Sequence, residues 1–361
     1  MERIGKYSVK CLLGEGATSL VYLCEDPFTL REVAVKTVKP EVMNDPQSGQ
    51  LFRRLFVTEA SLAGRLTHPH IAAILDAVSD STPPYLVVEY VPGGTLEPYC
   101  RPQSLLPPER AVEVVFKCSR ALEFAHRIGV THRDIKPANI LIEDSSGDIR
   151  DIKITDFGAA LTGSKDITAV SGIGSPAYMS PQQVKDHPLD HRTDIYSLGV
   201  VLFQLLTGKL PYSASNNFSL IYQIVNTPPP APSSLRSGLP AQLDAIVARA
   251  MSKDIDERYQ SWQEFSFDLA DIYRDRDALA MTDEQIADSE KFVTLRELSF
   301  FSRFSDVELW EVVRLSEWSK HLPGTVLIKD GEKGEHFYIV ARGQAKVTNR
   351  CLILILFYSV L

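Results

Sequence analysis

Two stretches of this chain decide its fold: His132-Arg133-Asp134-Ile135-Lys136-Pro137-Ala138-Asn139 and, seventeen residues after Asn139, Asp156-Phe157-Gly158. The first places a carboxylate and an amide five residues apart on one loop. Asp134 could accept the proton of a hydroxyl group or orient that group, and Asn139 could bind Mg²⁺ through its side-chain oxygen. Asp156 follows a strand-like segment and supplies a second hard oxygen donor that suits Mg²⁺.

A lysine and a glutamate farther upstream form a second candidate pair. Lys36 ends the apolar strand predicted over 33–36, and Glu59 lies in a helix predicted over 51–66, where leucines recur at helical spacing. A lysine after an apolar strand is usually just solvated. Paired with Glu59, however, Lys36 would become a fixed positive charge against the α- and β-phosphates of a nucleotide.

A glycine turn, Gly14-Glu15-Gly16-Ala17-Thr18-Ser19, lies between two predicted strands near the N-terminus. A dinucleotide-binding fingerprint would instead run from a strand into a helix. Glycine turns are common, so this one is weak by itself. Its small residues nevertheless let backbone N–H groups approach phosphate oxygens, and Ser19 is tolerable in the third position.

The distribution of elements predicts an α+β fold with two lobes. The first ~90 residues read as short strands with one helix among them, and helices dominate beyond that point. The segments 109–128 and 193–206 have helical periodicity, and the second is apolar enough for a buried central helix. The run Thr227-Pro228-Pro229-Pro230-Ala231-Pro232 could be a polyproline ligand, but a loop between helices is the favoured reading.

Taken in order, these elements resemble the eukaryotic-type Ser/Thr protein kinases, particularly the soluble or juxtamembrane kinases of bacteria. The resemblance covers roughly 7–273. It rests on Leu13 to Val21, Val33 to Lys36, Glu59, His132 to Asn139, Asp156 to Gly158, Gly174 to Gln182, and Asp194 to Gly199. It implies a bilobal kinase domain over 1–273, with an N-lobe of about 1–91 and a C-lobe of about 92–273. It also implies ATP- and Mg²⁺-dependent phosphorylation of serine and threonine on proteins, in signal transduction.

The resemblance also assigns roles to single residues. Asp134, Lys136 and Asn139 would be catalytic, with Lys136 on the γ-phosphate, and Asn139 and Asp156 would hold the metal. The residues implied in ATP binding are Leu13, Gly14, Glu15, Gly16, Ala17, Thr18, Ser19, Leu20, Val21, Ala34, Lys36, Glu59, Glu89 and Val91. Residues 89–91 would form the hinge that holds adenine, with Val88 as the gatekeeper.

Two further residues carry marks of the family. Ser175 occupies the place of the threonine that contacts the residue after the phosphorylated one in the substrate, and Asp194 resembles the buried aspartate that caps the catalytic loop. Arg133 directly precedes Asp134, as in kinases switched on by phosphorylation of the activation loop. The candidate acceptors are Thr162, Ser164, Thr168 and Ser171, of which Thr168 and Ser171 are favoured. Such autophosphorylation would involve a homodimer.

The chain departs from the family at Ser180-Pro181-Gln182, where the family has Ala-Pro-Glu. The missing glutamate would make a buried ion pair with an arginine that matches Arg258. Removing one partner of a buried pair can cost about 3–5 kcal/mol, and a hydrogen-bonding amide softens that loss. We expect lower C-lobe stability with catalysis retained.

The C-terminal part has a different texture. Residues 274–298 read as a charged linker, and 299–350, with a helix predicted over 306–315, resemble the start of a cyclic-nucleotide-binding domain with a β-roll. The phosphate-binding cassette of that family is missing, so we expect no binding of cyclic nucleotides. The apolar run 351–361 reads as a truncation artefact with an aggregation-prone edge.

Composition narrows the remaining alternatives. The net charge of −8 argues against nucleic-acid binding, and five scattered cysteines without a C-x-x-C pair suggest neither zinc nor disulfides. The longest apolar run, eleven residues, is short of the ~20 needed to span a bilayer, which predicts a soluble, cytoplasmic protein.

A scaffold that keeps the fold without catalysis would need to have lost Lys36, Asp134 or Asp156, and none is lost. A kinase-like enzyme acting on small molecules is disfavoured by Lys136 and the full activation segment.

Overall fold

The computed structural model of the chain describes residues 3–16, 18–44, 48–144, 149–159, 176–272, 286–319, 321–322, 324–329, 338–341, 343–348 and 351–354. Its contacts divide it into two compact units, Met1–Met281 and Thr282–Leu361. Each unit is built around its own sheet and helices. No helix within the described ranges combines the length and apolarity required to cross a membrane.

A six-stranded sheet with the order β1-β2-β3-β4-β6-β5 begins the first unit, and all its pairs are antiparallel. Its strands are Arg3–Ile4 (β1), Tyr7–Glu15 (β2), Ser19–Glu25 (β3), Glu32–Val38 (β4), Ile74–Val78 (β5) and Tyr85–Glu89 (β6). Alternate side chains of neighbouring strands, including Val33, Val35, Tyr85 and Val87, form its buried core. The meander predicted from the sequence is confirmed, whereas β5 was not predicted.

Two helices, Pro40–Asn44 (α1) and Ser48–Ser61 (α2), connect β4 to β5. The second ends five residues earlier than predicted. Beyond Ser61 the chain tightens into turns, in which the N–H groups of Leu62 and Arg65 donate to carbonyls three residues back, and Gly64 adopts a left-handed φ of +71°. Glycine takes that conformation without steric cost, so the backbone leaves the helix although the leucine spacing continues.

The rest of the first unit is helical, apart from a two-stranded hairpin. The hairpin strands are Ile140–Asp144 (β7) and Ile149–Ile154 (β8), and the helices are Pro108–Arg127 (α3), Pro181–Val184 (α4), Arg192–Thr207 (α5), Asn217–Asn226 (α6), Ala241–Ala250 (α7) and Trp262–Asp271 (α8). Helix α5 is buried along nearly its whole length, as predicted. The proline-rich run 227–232 joins α6 to α7, which confirms the loop reading.

The second unit contains helices Asp288–Glu297 (α9) and Asp306–Leu315 (α10) and strands Val326–Lys329 (β9), Ala345–Thr348 (β10) and Cys351–Leu354 (β11). Helix α10 has the predicted bounds, and its N-cap Ser305 forms a capping box with Glu308. The predicted linker 274–298, in contrast, includes α9. Phe292 and Leu295 lie on one face of α9 and are buried, and the Phe292 ring is centred 4.6 Å from that of Trp310.

The first residues of the apolar run also differ from expectation. Strand β11 lies in the middle of the order β10-β11-β9 and pairs antiparallel with both neighbours. Cys351–Leu354 is therefore an internal strand and not an exposed edge. Residues 355–361 lie outside the described ranges.

Candidate active site

Lys36 lies between two carboxylates that come from distant parts of the chain. Its Nζ is 3.3 Å from Oε2 of Glu59 on α2 and 2.6 Å from Oδ1 of Asp156 after β8. The 3₁₀ turn Phe157–Ala159 packs against α2, where a Cβ on Gly158 would stand 3.4 Å from the Glu59 carboxylate. The predicted pair of Lys36 and Glu59 is present, and Asp156 joins it.

The charges of Lys36, Glu59 and Asp156 shift one another's pKa values. Burial opposes the Lys36 ammonium, but the carboxylates of Asp156 and Glu59 outweigh that effect and raise the pKa of Lys36. Burial raises the pKa of Glu59 above its ordinary value. Burial acts the same way on Asp156, yet the Lys36 ammonium prevails and lowers the pKa of Asp156. Lys36 is thus a fixed cation at neutral pH, shared between two acceptors.

The catalytic-loop residues predicted from the sequence are in direct contact. Nζ of Lys136 donates to Oδ2 of Asp134 over 2.8 Å. Nδ2 of Asn139 donates to the main-chain oxygen of Asp134 over 2.8 Å and to its Oδ2 over 3.1 Å. The Asp134 side chain remains 47% exposed, so it is open to a substrate hydroxyl. A carboxylate oriented from two sides in this way suits a group that accepts or orients a proton.

Asp194 holds the backbone of the catalytic loop 132–139 by hydrogen bonds. It lies in the first turn of α5 and is 2% exposed, and its two carboxylate oxygens accept the N–H groups of His132 and Arg133, each over 2.7 Å. Arg133 has a φ of +67°, a strained conformation for a residue with a side chain. The paired hydrogen bonds stabilise that conformation, in agreement with the predicted capping role.

Three residues that the sequence did not single out complete the support of the loop. Nε2 of His132 lies 2.9 Å from the carbonyl of Thr155, and its Nδ1 accepts the N–H of Asp134 over 3.2 Å. The buried Phe157 ring is centred 4.5 Å from the His132 ring. Nε2 of Gln183 donates to the carbonyl of Arg133 over 2.7 Å. His132 and Phe157 belong to the quoted motifs, which is the available signal, and Gln183 is marked locally only as the last residue of a Ser-x-x-Gln capping box that begins at Ser180.

Hard oxygen donors for a cation lie on two adjacent segments. The N–H of Thr155 donates to the carbonyl of Asn139 over 3.0 Å, so Asn139 and Asp156 are neighbours. Nδ2 of Asn139 is turned to Asp134, so a cation would be bound by its amide oxygen. Among the described residues no group of three or more His, Cys, Asp or Glu side chains converges as a metal cage. One amide and one carboxylate fit Mg²⁺, which keeps several waters or phosphate oxygens as ligands.

The glycine turn joins β2 to β3, and its first residue lies in the same row of the sheet as Lys36. Gly14 pairs with Val21 and Glu15 with Leu20, while Val21 also pairs with Lys36 on β4. The turn is closed by a hydrogen bond from the N–H of Gly16 to the carbonyl of Ser19 over 2.8 Å. The flanking residues Leu13, Thr18 and Ser19 are described, whereas Ala17 lies outside the described residues. Lys39 fastens the turn from the side, through its N–H to the Thr18 carbonyl and its Nζ to Glu15.

The predicted hinge begins at the end of β6. Ala34 on β4 pairs with Val88, and Glu89 is the last residue of the strand. The N–H of Glu89 donates to the carbonyl of Ala73 over 2.8 Å, and Val91 is 6% exposed. Ala34, Val88 and Glu89 thus lie on the same sheet as Lys36.

Gln182, where the chain departs from the family pattern, lies beside Arg258, as the sequence predicts. Oε1 of Gln182 accepts a hydrogen bond from Nη2 of the buried Arg258 over 3.1 Å. Beside them Lys253 is surrounded by the hydroxyls of Tyr196 and Tyr212 and the carbonyl of Ile224. The activation-loop candidates Thr162, Ser164, Thr168 and Ser171, together with Ser175, lie outside the described residues.

Comparisons with known proteins agree on the first unit. Residues 7–267 match the family model described as the protein kinase domain. The serine/threonine-protein kinase PknB of Mycobacterium tuberculosis is 38% identical over 276 residues, covering 74% of this chain and 43% of PknB. A probable serine/threonine-protein kinase of Streptomyces coelicolor, SCO3848, is 37% identical over 273 residues, covering 73% of this chain and 39% of that protein. The chain therefore spans less than half the length of these curated relatives.

A solved structure is also similar to this chain. The crystal structure of the Mycobacterium tuberculosis PknI kinase domain superposes with a TM-score of 0.58 at 28% sequence identity. The match covers 74% of this chain and 96% of that domain.

Proposed function

We propose, because this chain belongs to the protein kinase family, that it transfers the γ-phosphoryl group of ATP to serine and threonine hydroxyls of proteins. One observation carries the proposal: the ammonium of Lys36 is held by Glu59 and Asp156, on the strand next to the glycine turn. A fixed cation beside a turn of small residues suits the binding of nucleotide phosphates. The identity of the relatives supports serine and threonine as acceptors.

Each described residue has a proposed task. Asp134 orients the attacking hydroxyl and receives its proton, and Lys136, already in contact with Asp134, neutralises charge on the transferred phosphoryl group. Lys36 holds the α- and β-phosphates, while the backbone of the turn 14–19 covers them. Asn139 and Asp156 would hold Mg²⁺, which would neutralise charge on the phosphate oxygens. The hinge residues Glu89 and Val91 hold adenine by their main-chain groups.

The regulation and organisation of the protein are part of the proposal. A second copy phosphorylates the activation loop at Thr168 or Ser171, and the phosphate pairs with Arg133 and switches the enzyme on for signalling. The catalytic part spans 1–273 and acts in the cytoplasm. Residues 299–350 form a cyclic-nucleotide-binding-like domain. The phosphate-binding cassette of that family does not lie within 299–350, so these residues bind no cyclic nucleotide, and micromolar binding of cAMP or cGMP by the chain would contradict this.

A radiolabel assay tests the activity itself. The full chain is incubated with γ-labelled ATP, Mg²⁺ and a generic protein substrate, and compared with Asp134→Asn. Asp256→Asn, at a carboxylate with 84% exposure, serves as the matched control. Incorporation by the wild type and the control, and loss in Asp134→Asn, supports the proposal. Equal signals in wild type and Asp134→Asn contradict it and favour a scaffold that signals by binding.

A further inference from the structure

The side chain of Glu89 is bound at both of its oxygens. Oε2 accepts the N–H of Ala73 over 3.2 Å, and Oε1 lies 3.1 Å from Nζ of Lys153. The main-chain N–H of Glu89 also donates to the carbonyl of Ala73. The first hinge residue is therefore held by three contacts, two to the main chain of Ala73 and one to Lys153.

Lys153 reaches Glu89 from the strand that leads to the catalytic Asp156. It lies on β8 opposite Leu141 of β7, and Leu141 in turn bridges to Thr95, just beyond the hinge. The Lys153 side chain is 18% exposed, so its ammonium is partly withdrawn from water. An ion pair shielded in this way is stronger than one on the open surface.

The third segment of this arrangement is 70–73, which precedes β5. Ile154 of β8 donates to the carbonyl of His70 and accepts the N–H of Ala72, each over 2.9 Å. Lys153 therefore projects from a strand whose backbone is already fixed to the segment that holds Glu89. The ammonium and the Ala73 N–H close a compact set of contacts around one carboxylate.

We propose that Lys153 is a positioning residue for nucleotide binding: its ammonium holds the Glu89 carboxylate and thereby the hinge 89–91 in the conformation that receives adenine. This rests on the proposed function, because the hinge has a ligand only if the chain binds ATP. The ion pair orders the hinge before the nucleotide arrives. Nucleotide binding therefore does not lose the free energy that ordering the hinge would require. Lys153 itself touches no reacting atom.

The test uses the full chain and two measurements, the Kd for ADP by calorimetry and the KM and kcat for ATP. Lys153→Met keeps the apolar stem and removes the charge, and Glu89→Gln keeps an acceptor for Ala73 while removing the ion pair. Lys153→Arg preserves the charge as a rescue. Lys10→Met, which removes an exposed ion pair with Glu25 on the outer sheet, is the control.

Both Lys153→Met and Glu89→Gln should raise the Kd for ADP and the KM for ATP by roughly threefold to tenfold, with kcat nearly unchanged. The double variant should be no weaker than the worse single variant, because both remove one interaction. Lys153→Arg and Lys10→Met should bind like the wild type.

A purely structural role would lower the melting temperature and leave the Kd for ADP and the KM unchanged below it, and that result overturns the proposal. If Lys153→Met does not fold, the isosteric Glu89→Gln decides by the same criterion. A wild-type chain that binds no ADP would instead contradict the proposed function, so the two failures are distinguishable.

Discussion

Nη2 of Arg258 donates to Oε1 of Gln182 over 3.1 Å, a charged group paired with a neutral amide. The same guanidinium donates to the carbonyls of Ser252 and Arg192, each over 2.8 Å. Each hydrogen-bond acceptor that the described residues give Arg258 is therefore neutral. Burial lowers the pKa of Arg258 to about 10, which reflects a cation without a countercharge in contact.

Replacing Gln182 by glutamate should stabilise the catalytic unit. Gln182→Glu supplies a carboxylate where the amide oxygen now accepts, and converts a neutral hydrogen bond into a charge-assisted one. We expect a gain of about 1 kcal/mol and a rise in melting temperature of about 2–4 °C, measured by calorimetry. Gln103→Glu, in an exposed loop, is the control and should not shift the melting temperature. An unchanged melting temperature in Gln182→Glu would show that the lost charge is not limiting.

Lys253 should make stability depend on pH above neutrality. Its Nζ donates to the hydroxyls of Tyr212 over 2.8 Å and Tyr196 over 3.2 Å, and to the carbonyl of Ile224 over 2.6 Å. Burial, with a smaller contribution from the nearby Arg258, lowers the pKa of Lys253 to about 7. Burial raises the pKa values of Tyr196 and Tyr212, so neither hydroxyl ionises in this range.

The direction of this pH dependence follows from the number of protons that the folded and unfolded chains bind. Between pH 7 and the ordinary lysine pKa the unfolded chain binds a proton that the folded chain has released, so stability rises with pH in this window. We expect the melting temperature of the wild type to increase by about 3 °C between pH 7 and 9, relative to Lys253→Met. The methionine fills the same space and does not titrate. Parallel pH profiles for the two proteins would show that Lys253 stays charged throughout.

Glu59 should determine the Mg²⁺ concentration that the proposed phosphoryl transfer requires. Lys36 is shared between Glu59 and Asp156, and Asp156 is also the proposed metal ligand. In Glu59→Gln the ammonium has one carboxylate left, so it competes with the cation for Asp156. The Mg²⁺ concentration for half-maximal activity should rise by about fivefold. Glu32→Gln, at an exposed partner of Lys10, should leave it unchanged. An equal Mg²⁺ requirement in Glu59→Gln and wild type would contradict the shared-cation arrangement.

Gly208, which ends helix α5, should tolerate no side chain. Its φ is +71°, and a Cβ there would lie 2.6 Å from the main-chain nitrogen of Pro102. Gly208→Ala therefore combines backbone strain with a clash and should cost about 3 kcal/mol in the free energy of unfolding. Gly238→Ala is the matched control, because Gly238 has a φ of +84° and open space around it. It should cost about 1 kcal/mol. Equal losses in denaturant unfolding would contradict the packing argument.

Local signals carried most of the sequence prediction. The spacing of Asp134, Asn139 and Asp156 and the position of Lys36 in an apolar strand identified residues that the structure brings together, although that strand continues to Val38 instead of ending at Lys36. Hydrophobic periodicity placed the central helix Arg192–Thr207 within one residue at each end. These features depend on neighbours within one element, which a single sequence displays.

Contacts between distant elements could not be predicted in this way. Asp156 reaches Lys36 across 120 positions of the chain, and Lys153 reaches Glu89 across 64, because the fold brings their strands together. The charged residues of Asp288–Glu297 indicate a linker and mask the helical spacing of Phe292 and Leu295. Tertiary packing of those two side chains decided its structure.

Mass spectrometry of the full chain after incubation with ATP and Mg²⁺ decides whether Asp134 supports transfer of phosphate to serine and threonine. We expect phosphate on serine or threonine, including a residue of 162–171, in the wild-type protein. We expect none in Asp134→Asn, although that variant should still bind ADP. Phosphate on the same residues in both proteins, or none in a wild type that binds ADP, would contradict this expectation.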